Sequence, residues 1–356
     1  MDKNNKLKKP DLERGLKPAG SYLDSLTDFA DILGTIKQAE NAAKELIDET
    51  APDRNRQESP GSENNRSIAM ADEPAERAAA TEPTLEELME KLDALVGLES
   101  IKQNVKSLIN YVKIRKLRKD NELPNPPLSL HMVFTGNPGT GKTTVARILS
   151  ELYRAIGVLS KGQLVEVDRS GLVAGFVGQT AIKTSDAVKS AFGGILFIDE
   201  AYSLAPDAGS GNDFGREAID TLLKMMEDNR DDLIVIVAGY SEPMELFINS
   251  NPGLESRFNR YFVFEDYNSD ELNAIFSSMC GKSEYILTDD AREFASGHFQ
   301  ELYEARGENF GNARYVRNFF ENIVSVHSDR VAALDAHTRE DLTVVIREDL
   351  EKAAVM

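Results

Sequence analysis

Residues 136–143 read "GNPGTGKT", and the amphipathic run "TVARILSELYRAI" follows immediately. This spacing fits G-x-x-x-x-G-K-[ST], a loop built to hold phosphate. Glycines allow backbone angles that turn successive N–H groups inward, so Gly136, Asn137, Pro138, Gly139, Thr140 and Gly141 form a concave nest for phosphate oxygens. The helix that follows adds its unpaired N–H groups and the positive end of its dipole. Lys142 can then reach β- and γ-phosphates, and Thr143 can offer its hydroxyl to Mg2+.

A second set of reactive residues ends an apolar run, "GGILFIDEA" at 193–201. Parallel sheets place ligands at the C-terminal ends of their strands, and there this run delivers two acids. Asp199 would hold Mg2+ through water, and Glu200 would orient or polarise an attacking water. Together they suit phosphoryl transfer to water. "NPGLESRFNRYF" (251–262) sets Arg257 and Arg260 three apart before a strand. They are either surface arginines or groups that reach the phosphates of a neighbouring subunit, and the latter requires a ring. Arg314 in "GNARYVRN" opens a helix. From there it either faces solvent or touches the γ-phosphate of its own chain and couples a lid to it. In "SGLVAGFVGQT" (170–180), Phe176 and Val177 stand between glycines, either buried or exposed as a grip on substrate in a central pore.

The elements needed to position these groups are legible along the chain. Five β-rich runs, "HMVFTG", "LVEVDRS", "GILFIDEA", "LIVIVAGY" and "RYFVF", alternate with helical patterns, which predicts an α/β domain with a parallel sheet and flanking helices over 86–265. "TLEELMEKLDALVGLESIKQNVKSLINYVKIRKLRKD" reads as helical, with Thr84 as N-cap three residues before Glu87. From 266 to 356 the pattern is helical throughout, a small C-terminal lid domain. Residues 51–85 lack aromatic and nearly all large apolar side chains and read as a disordered linker. Residues 1–50 form an N-terminal extension. Within it, Tyr22, Leu26, Phe29, Leu33, Ile36, Ala43 and Ile47 make one apolar helix face, which packs on its own domain or docks a partner.

Composition limits the partners. Of 356 residues, 41% are apolar and 28% charged, enough for a buried core. A formal charge of −19 disfavours nucleic acid and anionic membranes. Cys280 is the single cysteine, so no internal disulfide forms, and four scattered histidines give no zinc-ligand spacing. No run of 18 apolar residues occurs and the start lacks a signal-peptide core, so a cytoplasmic location is expected.

Taken together, these residues resemble the AAA+ ATPases, and within them the group of the red-type (CbbX-like) Rubisco activase and the stage V sporulation protein K-like ATPases. "LVGLESIKQNV", "LHMVFTGNPGTGKTTVA", "GFVGQTAIKTSDAVKSAFGGILFIDEAYSL", "FGREAIDTLLKMMEDNRDDLIVIVAGY", "NPGLESRF" and "GNARYVRN" carry the resemblance in that order. It implies a P-loop NTPase that binds ATP with Mg2+, forms a homo-oligomeric ring, usually a hexamer, and pulls a client protein through its pore. It further implies that Gly136 to Thr144 hold the nucleotide and that Asp199 and Glu200 are the magnesium and water-activating pair. Arg257 would be the trans-acting finger with Arg260 as a second candidate, Arg314 the lid's sensor, and Phe176 the pore aromatic. Val96 and Gly97 would border the adenine. Many members of the wider superfamily carry a water-holding asparagine after the run matching "IVIVA"; here the chain reads Gly239-Tyr240-Ser241. Rubisco reactivation is one candidate client activity. A nucleotide-switched oligomeric scaffold with slow hydrolysis is the competing reading, and a nucleic-acid motor is disfavoured by the charge.

Overall fold

A computed structural model describes residues 82–126, 129–176, 178–205 and 214–356. The helix expected within 22–47, the expected linker up to residue 81, and Val177 lie outside the described residues. Five strands occur where the β-rich runs predict them: β1 (Met132–Gly136), β2 (Leu164–Val167), β3 (Gly194–Ile198), β4 (Leu233–Gly239) and β5 (Arg260–Phe264). They form one parallel sheet in the order β2-β3-β4-β1-β5.

The interior strands are apolar, with Thr135 of β1 the exception, because both of their faces are covered. Every residue of β3 and β4 is buried. Along the edge strand β5 burial alternates, leaving Tyr261 and Val263 exposed. The strand period of two sorts the core. Phe134, Phe197 and Ile236 pack on one face with the helices Leu85–Asp93, Glu99–Asp120 and Lys142–Ala155. Val133, Ile198 and Val237 pack on the other with Ile219, Leu222 and Phe247 from the helices Phe214–Asp228 and Ser241–Asn249. Each fully buried side chain of this size stabilises by about 1.5–3 kcal/mol, so the two layers hold the strand ends rigid.

Thr84 caps the first of these helices as expected: its hydroxyl accepts from the Glu87 N–H and the Glu87 carboxylate accepts from the Thr84 N–H. One expectation needs correcting. The helical reading of 86–120 is interrupted between Asp93 and Glu99, where Gly97 and Leu98 both take left-handed backbone angles (φ 60° and 61°). Two consecutive left-handed residues cannot continue an α-helix. The break turns Ala94, Leu95 and Val96 towards the C-terminal ends of the strands.

After Asp266 the chain builds a helical unit from Ser269–Lys282, Asp289–Glu304, Asn312–Ala332 and Arg347–Ala353. Phe276 is its centre, with the rings of Phe299, Phe319 and Phe320 at 5.5, 5.8 and 6.5 Å. A two-residue parallel pair, Ile286–Leu287 with Val344–Val345, joins these helices. It is too short for a periodicity of two to reveal. Buried Asp349 is held by Arg330, whose Nε and Nη2 donate to its two oxygens at 2.9 Å each. Cys280 is buried and its thiol is pushed up to about 11, chiefly by that burial, which keeps it protonated. Among the described residues no helix is long and apolar enough to cross a membrane.

His131, just before β1, is buried, and its Nδ1 accepts from the Val235 N–H at 3.0 Å. Burial, with a smaller push from Arg257, lowers its pKa from 6.5 to about 4. The unfolded chain therefore takes up this proton first as pH falls. Stability is unaffected above pH 6.5, erodes between 6.5 and 4, and by pH 4 has lost on the order of 3 kcal/mol. Urea unfolding at pH 7.5 and 4.5 checks this. In His131→Asn, which keeps a side-chain acceptor, the acid-induced loss should be about 2–3 kcal/mol smaller than in the parent. An equal loss in both would refute the assignment.

Candidate functional site

The C-terminal ends of β1, β3 and β4 open into a cavity of about 470 Å3, closed on its far side by the helical unit. Gly136, Pro138, Gly139, Gly141, Lys142, Thr143 and Thr144 line it from the loop after β1. Asp199 and Glu200 line it from the end of β3, Val96 from the helix break, and Arg314 from the lid. Residues from four separated stretches of sequence thus converge on one space.

The loop is held in shape from both sides. The Thr140 hydroxyl, fully buried, donates to the Asn137 carbonyl at 2.8 Å, and Tyr267 donates its own hydroxyl to the Thr140 carbonyl at 3.2 Å. The Asn137 amide donates to both Asp266 oxygens at 3.0 Å. Asp266 also accepts from the Asn312 amide at 2.7 Å, while the Asn312 Oδ1 accepts from the Tyr267 N–H at 2.8 Å. Asn312 is fully buried and left-handed (φ 48°). The Ala313 N–H donates to the Gly139 carbonyl at 3.2 Å. Gly139 (φ 75°) has to be glycine, because a Cβ there would lie 2.4 Å from the Gly311 carbonyl oxygen and 2.6 Å from the Arg314 nitrogen. The first turn of the lid helix Asn312–Ala332 therefore rests directly on the phosphate loop.

Lys142 is folded back, its Nζ donating to the Gly136 and Asn137 carbonyls at 2.8 Å each. Burial lowers its pKa, Arg314 adds to the effect, and Asp199 and Asp266 oppose it. An anion in the cavity would offset the desolvation of this ammonium. Asp199 extends β3 by one hydrogen bond, donating its N–H to the Val167 carbonyl at 2.8 Å. Its carboxylate accepts from the Glu200 N–H at 3.0 Å. Glu200 has a left-handed backbone (φ 47°, ψ 42°), at a cost of about 1–3 kcal/mol for a residue with a Cβ. The turn directs the second carboxylate into the cavity instead of along the strand.

The donors fit Mg2+. Thr143 and Asp199 supply hard oxygen atoms to the same space. Among the described residues no cluster of three or more His, Cys, Asp or Glu could cage a metal without help. Mg2+ keeps most of its waters and takes one or two protein oxygens beside phosphate oxygens, which is the arrangement this pair allows.

Several residues singled out from the sequence do not line the cavity. Asn137 and Thr140 act behind the loop, as described. Gly97 packs beneath the lid, where a Cβ would meet the Glu271 carboxylate at 2.2 Å. Arg257 ends the helix Pro252–Arg257. Its Nη2 lies 3.4 Å from a Glu227 oxygen, and its buried Nε has no partner. Arg260 donates from Nε to the Ser129 carbonyl at 3.1 Å and lies 5.9 Å from the Tyr111 ring centre. Phe176 is 71% exposed, which excludes its reading as a core residue. Conversely, Tyr267 and Arg317 line the cavity and went unremarked in the sequence, and Tyr240, noted there only where the superfamily's asparagine is missing, lines it too. Arg317 stands one helical turn after Arg314, a spacing that could have identified it.

With this geometry in view, comparisons with known proteins give a consistent picture. Residues 132–266 match the ATPase family associated with various cellular activities (AAA), and residues 268–355 match the AAA lid domain. The chain is 42% identical to the stage V sporulation protein K of Bacillus subtilis over 75% of its own length and 82% of that protein's. It is 39% identical to the chloroplastic ribulose bisphosphate carboxylase/oxygenase activase of Cyanidioschyzon merolae, covering 76% and 92%. To the chromosomal protein CbxX of Cupriavidus necator it is 40% identical, covering 74% and 83%. Among solved structures, a Thermotoga maritima RuvB mutant superposes with a TM-score of 0.50 at 18% identity, over 74% of this chain and 71% of that one, a likeness of fold alone.

Proposed function

The chain belongs to the AAA ATPase family, and on that premise we propose that it is a ring-forming ATPase that uses ATP hydrolysis to remodel a client protein through a central pore. In this reading the N–H groups of the phosphate loop hold the triphosphate. Lys142 exchanges its two carbonyl partners for β- and γ-phosphate oxygens, and Val96 borders the adenine. Thr143 and Asp199 would hold Mg2+, which draws off charge developing on the phosphates. Glu200 orients water in line with the γ-phosphorus, and Arg314 reports the γ-phosphate to the lid.

One observation carries the ring. Arg314 lines the cavity of its own chain, whereas Arg257 and Arg260 lie outside it, Arg257 against the Glu227 carboxylate and the Gly253 carbonyl and Arg260 against the Ser129 carbonyl and the Tyr111 ring. A guanidinium stabilises a phosphoryl transition state only by touching it, so Arg257, with Arg260 as a second finger, serves the site of the adjacent copy. A homo-oligomeric ring, a hexamer, presents each arginine to the next chain's nucleotide.

The exposed ring of Phe176, beside Val177, is the grip on the client. One relative is named as an activase of ribulose bisphosphate carboxylase/oxygenase, which makes that enzyme one candidate client. The test is Phe176→Ala, assayed on the protein retained by an ATP-loaded Glu200→Gln trap. Remodelling should fall at least tenfold with ATP affinity held within twofold. Undiminished remodelling would remove the threading mechanism. Slow hydrolysis indifferent to that protein would favour the scaffold reading instead.

A further inference from the structure

Ser129, in the segment leading into β1, is hydrogen-bonded to both arginines that lie outside the cavity. It is half-buried. Its hydroxyl donates to the Arg257 carbonyl at 2.7 Å, and its own carbonyl accepts from Arg260 Nε at 3.1 Å. Arg257 is the last residue of the helix Pro252–Arg257, and the last carbonyls of a helix have no partner within it. The serine supplies one. The next residue, Phe258, is buried, with its ring 6.1 Å from that of His131. The backbone from which Arg257 projects is thus tied to the segment before β1 at two points. Its guanidinium is held far less firmly. Nη1 lies 3.5 Å from the Gly253 carbonyl, Nη2 lies 3.4 Å from Glu227, and the buried Nε has no partner. Both contacts are longer than an ordinary N–H···O bond. Arg257 therefore has a fixed root and a loosely held tip, which suits a side chain that trades its resting contacts for a phosphate.

From this arrangement we infer that Ser129 is a positioning residue, setting where Arg257 and Arg260 project towards the nucleotide of the adjacent copy. The inference rests on the proposed trans-acting role of Arg257. A guanidinium acts on a transferring phosphoryl group only at hydrogen-bonding distance, and a misplacement of about 1 Å costs on the order of a hundredfold in rate. The hydroxyl of Ser129 fixes the root of the first arginine while its carbonyl holds the side chain of the second. One residue thereby keeps the pair in mutual register.

Ser129→Ala in the full-length chain should slow steady-state phosphate release at least fivefold, with KM for ATP within threefold and a melting temperature within a few degrees of the parent's. Ser129→Thr, which keeps a hydroxyl, should stay within twofold of the parent, and Ser129→Val, its match in shape, should be as slow as Ser129→Ala. Ser129 also leads into β1, which carries the phosphate loop of its own chain, and mixing separates the two roles. With an excess of Glu200→Gln chains, whose Ser129 and Arg257 are intact, Ser129→Ala chains should turn over as fast as parent chains mixed in the same way. Slowness that persists in the mixture would place the defect in the chain's own site and overturn the inference. So would a Ser129→Ala rate within twofold of the parent, or equal rates for the threonine and valine variants, which would mark a packing role. Parent-like turnover by Arg257→Ala would instead bring down the trans-acting reading, and this inference with it.

Discussion

Exchanging Glu200 for glutamine is expected to lower ATP turnover by at least about a hundredfold while ATP remains bound. The change keeps side-chain length and volume, and Glu200 is solvent-exposed at the end of β3, so no core contact is lost. What disappears is the negative charge to which we assign the orientation and polarisation of water. A positioned general base contributes about 10²–10⁴-fold, or roughly 3–5 kcal/mol of barrier. Ground-state affinity comes mainly from the loop N–H groups and Lys142, which the substitution leaves alone, so the dissociation constant should stay within a few-fold. Phosphate release and equilibrium binding of a fluorescent ATP analogue measure the two effects separately. Turnover within tenfold of the parent would show that this carboxylate does not do the work assigned to it.

Arg257→Ala should cost turnover a comparable amount, about a hundredfold or more, from a residue that does not line its own chain's cavity. Its structural cost is small by comparison. The ion pair to Glu227 spans 3.4 Å between partly exposed partners, and pairs of that kind contribute about 0–1 kcal/mol. The buried Nε of Arg257 lacks a partner, so no hydrogen bond is lost there. A large kinetic effect with a shift of only a few degrees in melting temperature is therefore expected, and a fold defect would reverse that ratio. Melting curves and steady-state phosphate release on the same preparations give the comparison.

Local signals made the fold and the phosphate-facing half of the site legible. A buried parallel strand has to be apolar on both faces, so "ILFI" and "LIVIVA" announce themselves without reference to the rest of the chain. A phosphate nest needs glycine and a following helix, so the loop at 136–143 is equally plain. What the sequence hid is made by contacts between distant residues. Nothing near Asn137 says that its amide reaches Asp266, or that Asp266 also holds Asn312. The need for glycine at 139 arises partly from the lid helix resting on it. The break at Gly97-Leu98 escaped because leucine at a left-handed position carries no signature of its own. Tyr240 stood out in the sequence only as part of the stretch where the superfamily's asparagine is missing, and its place on the cavity wall is visible only in the fold.

Mixing two inactive proteins tests the shared site most directly. Glu200→Gln chains keep Arg257 and lack the water-orienting carboxylate, while Arg257→Ala chains keep the carboxylate and lack the arginine. If each site draws its arginine from the neighbour, an equimolar mixture with ATP and Mg2+ should release phosphate well above either protein alone, because some Arg257→Ala sites will then face an intact Arg257. Activity in the mixture no greater than the sum of the two inactive proteins, despite measurable subunit exchange, would contradict a site completed in trans.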